Sequence, residues 1–485
     1  MNRNNLASAL LFTLMLGGCS LAPTYKKPVT PVPAAYKGAV GIWKQANPSD
    51  RLSRGDWWKN YNDALLDKLI GQLDVANADL AAAVAHFDQA TAYAAEARSF
   101  LFPTVTAGLL NTRNRQSLHR VHRAAVANGG GQLNVYGDNS IGLAANYEVD
   151  LWGRVHNLVA AGEAGAQAAA LDLESVRLSL RAELADNYLA LRSLDAQSKL
   201  LSDQVAAYTK ALTLTQNRFR GGIDSALDVS RAKAQLDTAN AKLADIAASR
   251  ALYEHAIATL VGVTATSFSI KPVVIDMHLP KIPIGVPSAL LQRRPDIAAA
   301  ERRLAEANDR IGIAKAAFFP TIMLGASAGY ESAYQAAWLT GPNLFWSIGP
   351  SALLTVFDGG LRQAMVDRAQ AAYNMAGAQY RSTVLQAFQE VEDNLSLLNE
   401  LSRESVSLRA AVTDTQRTLD LAMNRYKEGA VSYLEVVTAQ TAAQQAQLDE
   451  LNLRNRRLQA SVNLIRALGG GWSADSMKKA DVSSK

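Results

Sequence analysis

The chain has 485 residues, 14 of them proline and one cysteine, and 49 basic against 44 acidic side chains leave a net charge of +5. One cysteine excludes a disulfide framework, a cysteine zinc site and a dithiol redox motif, and so mild a charge excludes a nucleic-acid binder. No apolar run of 18 residues follows the N-terminus, which excludes helical membrane spans. No proline falls between 104 and 271 or after 350. Proline ends helices and marks turns, so Ala-rich tracts without it predict very long helices.

Residues 1–18 read as a secretory signal: Arg3 is the positive segment and Leu6 to Leu16 the apolar one. Leu16-Gly17-Gly18-Cys19 closes it as a lipobox, in which the thiol of Cys19 takes a lipid. An ordinary signal peptide with an incidental cysteine is the alternative. Covalent lipid on Cys19 is the only added group expected, and no cofactor or metal is. Residues 19–62, with Pro23, Pro28, Pro31, Pro33 and Pro48, read as an extended tether.

The remainder is written twice. Asn217-Arg218-Phe219 and Gly222 recur as Asn424-Arg425-Tyr426 and Gly429, Leu227-Asp228-Val229 as Leu434-Glu435-Val436, and Gly262 as Gly469, all at an offset of 207. Phe102-Pro103-Thr104-Val105 recurs as Phe319-Pro320-Thr321-Ile322 at an offset of 217. The difference places ten extra residues in the first copy, in the polar stretch Asn111 to Asn139. The first repeat (63–262) predicts a helix over 63–100, strands over 104–112 and 139–150, a long helix over 155–219 and a shorter one over 226–260. A linker over 263–292 leads to the second repeat (293–469), with a helix over 293–317, strands over 321–330 and 346–357, and helices over 361–427 and 433–467. Residues 470–485 form a tail. At about 1.5 Å per residue the long helices reach roughly 100 Å, enough to cross a periplasm.

All four strands alternate. Val105, Ala107 and Leu109 face one way and Thr104, Thr106 and Gly108 the other; Ile322 to Tyr330 repeats the pattern in phase. Ten-residue segments, apolar on one side and small or polar on the other, are the signature of transmembrane β-strands. Tyr147, Tyr330 and Trp346 are candidate interfacial aromatics. A small soluble sandwich shows the same periodicity. Four strands cannot close a barrel, and an open edge is not tolerated in lipid. If these strands span a membrane, other chains must close the barrel.

At this point the chain resembles the TolC-like outer-membrane efflux factors, in their lipidated NodT/OprM-type branch. The resemblance rests on the lipobox, Trp57-Trp58 before Leu65-Leu66-Asp67-Lys68-Leu69-Ile70, the doubled Asn-Arg-Phe/Tyr-x-x-Gly, Arg293-Arg294-Pro295-Asp296-Ile297 with Ala300-Glu301-Arg302-Arg303-Leu304, and the two Phe-Pro strand starts. It implies a mixed α and β membrane protein: a homotrimer with a 12-stranded outer-membrane β-barrel, four strands per chain, continued by a long periplasmic α-helical barrel. A belt of tether, linker and tail would surround it. The implied function is passive efflux of small molecules, with a periplasmic adaptor protein and an inner-membrane proton-driven pump as partners. A type I protein-secretion channel and a non-conducting coiled-coil spacer are the alternatives.

The resemblance puts the periplasmic aperture at the hairpin tips, with Asp228, Tyr426 and Glu435 as gate residues. The aperture arginine of non-lipidated members falls at Val431, so that inter-chain salt bridge is missing. Arg220, Gly221, Gly222, Gly429 and Ala430 are the expected adaptor-docking tips, because small side chains let a partner helix approach closely. His119-x-x-His122 sits in a basic loop (113–123) without a third metal ligand, and contact with lipid phosphates is the functional idea for that loop. Gly469-Gly470-Gly471 lacks the Lys-Ser/Thr of a P-loop. An enzyme is not expected.

Overall fold

A computed structural model describes residues 20–27, 33, 35–38, 56–115, 117, 135–280, 282, 293–333 and 338–470. Cys19, the signal segment, most of the basic loop and the tail beyond Gly470 lie outside the described residues. The elements are α1 (Ala64–Ala76), α2 (Ala78–Ser99), β1 (Thr104–Arg115), β2 (Val135–Glu148), α3 (Arg154–Arg220), α4 (Ala226–Leu260), α5 (Pro295–Ala316), β3 (Thr321–Ser332), β4 (Leu344–Leu353), α6 (Leu361–Lys427) and α7 (Tyr433–Ala467). Helices α3 and α6 have 67 residues each, so each is about 100 Å long.

The single helix expected over 63–100 is divided at Asn77. Its backbone is extended, its N–H closes α1 on the Leu73 carbonyl, and its side-chain oxygen accepts from Leu80 N at 2.8 Å to start α2. The amide nitrogen of Asn77 donates to the Leu260 carbonyl at 2.9 Å, which ties this break to the end of α4. There Gly262 approaches so closely that a Cβ would stand 2.2 Å from the Ala76 carbonyl oxygen. The second repeat builds the same joint: Arg294 Nη1 donates to the Ala467 carbonyl at 3.2 Å, and a Cβ on Gly469 would stand 2.4 Å from the Arg293 oxygen.

The chain divides into two compact units, and these do not follow the repeats. One comprises residues up to 28, 88–168 and 300–379; the other comprises 29–87, 169–299 and 380–485. The first holds the sheet, which is antiparallel throughout and ordered β1-β2-β3-β4. Pairing aligns Val105 with Ala145, Ala145 with Ala326, and Ala326 with Ile348. One face therefore collects Val105, Ala107, Leu109, Ile141, Leu143, Tyr147, Ile322, Leu324, Tyr330, Trp346 and Ile348, and the other collects chiefly Thr, Ser and Gly, with Leu110, Met323 and Phe345 among them. Past Leu109 the apolar face turns polar, where Asn111 Nδ2 donates to Asn139 Oδ1 at 2.6 Å and Asn139 Nδ2 to the Ser332 carbonyl at 2.9 Å.

Strand ends differ from the expected ones in both directions. β1 and β2 extend into the polar stretch because Asn111–Arg115 finds partners in Val135–Asn139. β4 stops at Leu353 rather than 357, although Leu354 and Val356 continue the alternation, because Leu353 already pairs with the first residue of β3. In the same unit Ser20 Oγ donates to Asn157 Oδ1 at 2.7 Å and Asn308 Nδ2 to the Pro23 carbonyl at 2.8 Å, seating the segment behind Cys19 on α3 and α5.

The second unit is helical. Leu66, Leu69, Ile70 and Leu73 line the buried side of α1, and Trp57, Trp58 and Tyr61 pack edge-on before it. The linker runs as a strap over α3 and α4. Ile270 N donates to Glu254 Oε1 at 2.7 Å, Val273 N to Asp195 Oδ2 at 3.2 Å, and Arg192 Nη1 to the Lys271 carbonyl at 3.1 Å. Asp195, buried, also pairs with Arg192 at 2.9 Å and Arg250 at 2.7 Å. Part of the tether is fastened too: Lys37 N and Gly38 N donate to the two carboxylate oxygens of Glu392 at 2.6 and 2.7 Å.

Candidate functional site: the hairpin tips

Each repeat turns its long helix back through a tip of the same design. In the first, Gly222 N donates to the Phe219 carbonyl at 2.9 Å and Ile223 N to the Arg218 carbonyl at 2.9 Å. In the second, Gly429 N donates to Tyr426 O at 3.0 Å and Ala430 N to Arg425 O at 2.9 Å. This is a Schellman closure, and it requires a left-handed residue. Gly222 has φ 76° and Gly429 φ 78°, and both have open space where a Cβ would point. Arg220, Gly221, Gly222, Gly429 and Ala430 are all exposed.

Behind the turns the two tips of one chain are knotted together. Tyr426 is 1% exposed and packs with Ala211, Ala232, Tyr433 and Val436. Its hydroxyl donates to Asp224 Oδ2 at 2.5 Å and lies 3.1 Å from Thr215 Oγ1. Arg218 Nε donates to the same Asp224 oxygen at 3.0 Å, and its Nη1 to the Tyr426 carbonyl at 3.3 Å. The guanidinium carbon stands 4.7 Å from the centre of the Tyr426 ring, and the Tyr433 ring lies 5.4 Å away on a tilt. Burial first, then the bond to Asp224, pushes the Tyr426 hydroxyl up to about 12. The phenol is therefore a neutral donor at physiological pH, and the half-buried carboxylate is shared between it and a cation.

The other expected gate residues have separate settings. Asp228 is engaged locally: its carboxylate accepts from Ser225 N at 3.2 Å and Ser225 Oγ at 2.6 Å while Ser225 Oγ accepts from Asp228 N, a capping box that opens α4. Glu435 occupies the matching place in the first turn of α7, exposed, and Ser432 there makes no side-chain cap. The carboxylate partner of Tyr426 is thus Asp224, which is not among the expected gate residues. A signal for it was present. At the offset of 207, Thr215, Phe219 and Asp224 align with Ala422, Tyr426 and Val431 while Arg218 aligns with Arg425, so three members of the knot are positions where the two copies part.

Comparison with known proteins follows the same repeats. The outer membrane efflux protein family matches residues 69–263 and 286–470. Outer membrane protein OprJ of Pseudomonas aeruginosa is 33% identical over 468 residues, covering 96% of this chain and 95% of its own. Among solved structures, the outer-membrane channel OprN is 29% identical with a TM-score of 0.85, over 94% of this chain and all of its own. The open state of the Neisseria gonorrhoeae MtrE outer membrane channel is 28% identical with a TM-score of 0.79, over 93% of this chain and 98% of its own.

Proposed function

The chain belongs to the outer membrane efflux protein family and is an outer-membrane channel component of an efflux system; within that role we propose that it is a passive conduit whose closed state is held by the Tyr426–Asp224–Arg218 knot. Three chains would complete a 12-stranded barrel, with the small and polar face of the sheet lining the lumen and the apolar face meeting lipid. Ile322 to Tyr330 is about 27 Å of strand at the usual rise, which after tilting covers most of an apolar band ~25 Å tall. A lumen built chiefly of Thr, Ser and Gly offers passing solutes no tight stop, which favours conduction over catalysis.

We further infer that energy comes from an inner-membrane proton-driven pump joined through a periplasmic adaptor. The adaptor would dock on the exposed tips at Arg220, Gly221, Gly222, Gly429 and Ala430, and Asp228 and Glu435 would add negative charge around the aperture. Lipid on Cys19 would anchor the mature N-terminus, with Ser20 to Pro23 seated on α3 and α5. The observation that carries the gate reading is the knot itself: it joins the two hairpins of one chain at the end where a conduit must close. Single-channel recording in planar bilayers tests it. The protein should conduct poorly, and Tyr426→Phe and Asp224→Asn should each conduct more; parental conductance in both variants would move the gate elsewhere.

A further inference from the structure

Edges β1 and β4 of the described sheet carry no partner, and the duplication says how they meet in the next copy. The offsets that superpose the repeats act differently on the two strands of a hairpin: 217 carries β1 onto β3, and 207 carries β2 onto β4. Applied to the pair Val105↔Ala145, they give Ile322↔Ala352, which is the pairing found between β3 and β4. They likewise carry Leu109↔Ile141 onto Ala326↔Ile348, again as found. The two hairpins therefore share one register to the residue.

The same operation acts on the central pair. Moving β2 forward by 207 turns it into β4, and moving β3 back by 217 turns it into β1. Ala145↔Ala326 becomes Ala352↔Leu109, Ala144↔Ser327 becomes Ser351↔Leu110, and Asn139↔Ser332 becomes Trp346↔Arg115. Within one chain β1 and β4 lie at opposite edges, so these pairs can form only between chains. We propose that β4 of one protomer pairs antiparallel with β1 of the next in this register, with Ala352 opposite Leu109.

Two features of the edges agree with it. Parity is kept: Leu109, which lies on the apolar face, meets Ala352, which lies on the same face, whereas a slip by one residue would turn the neighbour's apolar row into the lumen. The register also sets the exposed Arg115 opposite Trp346, 73% exposed in the single chain, as a cation–aromatic pair across the seam. This inference rests on the trimeric reading above and adds the residues that meet.

Cysteine pairs test it in the full-length protein. Directly opposed residues in an antiparallel pair have Cα atoms about 4.5–5.5 Å apart, within the span of a disulfide. Leu109→Cys with Ala352→Cys should give a covalent trimer on non-reducing gels after mild oxidation. Leu110→Cys with Ser351→Cys, on the lumen face, should do so independently. Ala107→Cys with Ala352→Cys, displaced by two residues, should remain unlinked. Native mass measurement in mild detergent separates the two layers of the argument. A trimer in which the displaced pair links and the other two do not, or in which none links, overturns the register and leaves the trimer standing. A monomer overturns both.

Discussion

Tyr426 Oη donates to Asp224 Oδ2 across 2.5 Å, although 202 residues separate the two in the chain. A hydrogen bond to a charged group contributes about 1.5–3 kcal/mol, and about 1.4 kcal/mol is tenfold in an equilibrium. Tyr426→Phe keeps the ring against Tyr433 and removes the donor, so the closed-to-open ratio should fall roughly tenfold or more. Asp224→Asn also removes the negative charge that Arg218 faces and should lower it further. A double-mutant cycle on channel opening should show coupling of about 1.5 kcal/mol or more; additive effects would mean that the two act separately.

Asp186 on α3 gives a pH dependence. Burial first, against a smaller pull from Arg466 and a push from Glu183, raises it from 3.8 to about 7. Its folded value lies above the unfolded one, so the neutral acid suits the fold. The stability it permits is complete below about pH 4 and is lost as pH rises through about 7. Asp186→Asn should flatten that window. Thermal unfolding at pH 5 and pH 8 checks this, and an equal loss in both proteins would show that Asp186 is not the cause.

Docking at the tips separates from backbone strain through a choice of variants. Gly222→Trp and Gly429→Trp force an L-residue into the left-handed region at about 1–2 kcal/mol, whereas Ala430→Trp makes no such demand. All three should abolish export in cells while trimer levels stay normal, and Gly222→Ala should export nearly as the parent does. Export by Ala430→Trp at parental level would remove the second tip from the docking surface.

The repeated joint predicts a sign reversal among glycines. Gly262→Ala sets a methyl 2.2 Å from the Ala76 carbonyl oxygen at φ 74°, and Gly469→Ala does the same at 2.4 Å from Arg293 at φ 86°. Each should lower stability by about 2 kcal/mol or more. Gly71→Ala, exposed inside α1 with nothing near the added methyl, should raise it by about 0.5–1 kcal/mol. Chemical unfolding of the three variants decides.

The alternation and the absence of proline made the strands and long helices legible, and the doubled motifs carried the duplication. The joints were hidden, because Asn77 and Arg294 share no chemistry until both are seen reaching a helix-end carbonyl, Leu260 or Ala467. Strand ends were hidden for another reason. Leu354 and Val356 keep the pattern, but a strand lasts only as long as its neighbour, and β3 begins at Thr321. The knot was half legible: Tyr426 came from the family likeness, while its partner depends on how two distant tips pack.

The central pairing also dictates a folding order. β1 and β2 are near in sequence and can meet early, but β2 must wait for β3, since Asn139 pairs with Ser332. Late closure of so distant a contact is slow, and until it happens β2 keeps an open edge that no neighbouring chain closes. A chain emerging N-terminus first thus has no insertable sheet before its second half has crossed the inner membrane. Cut at the linker, neither half should enter the outer membrane alone, and the two together should rebuild the sheet only by finding each other first.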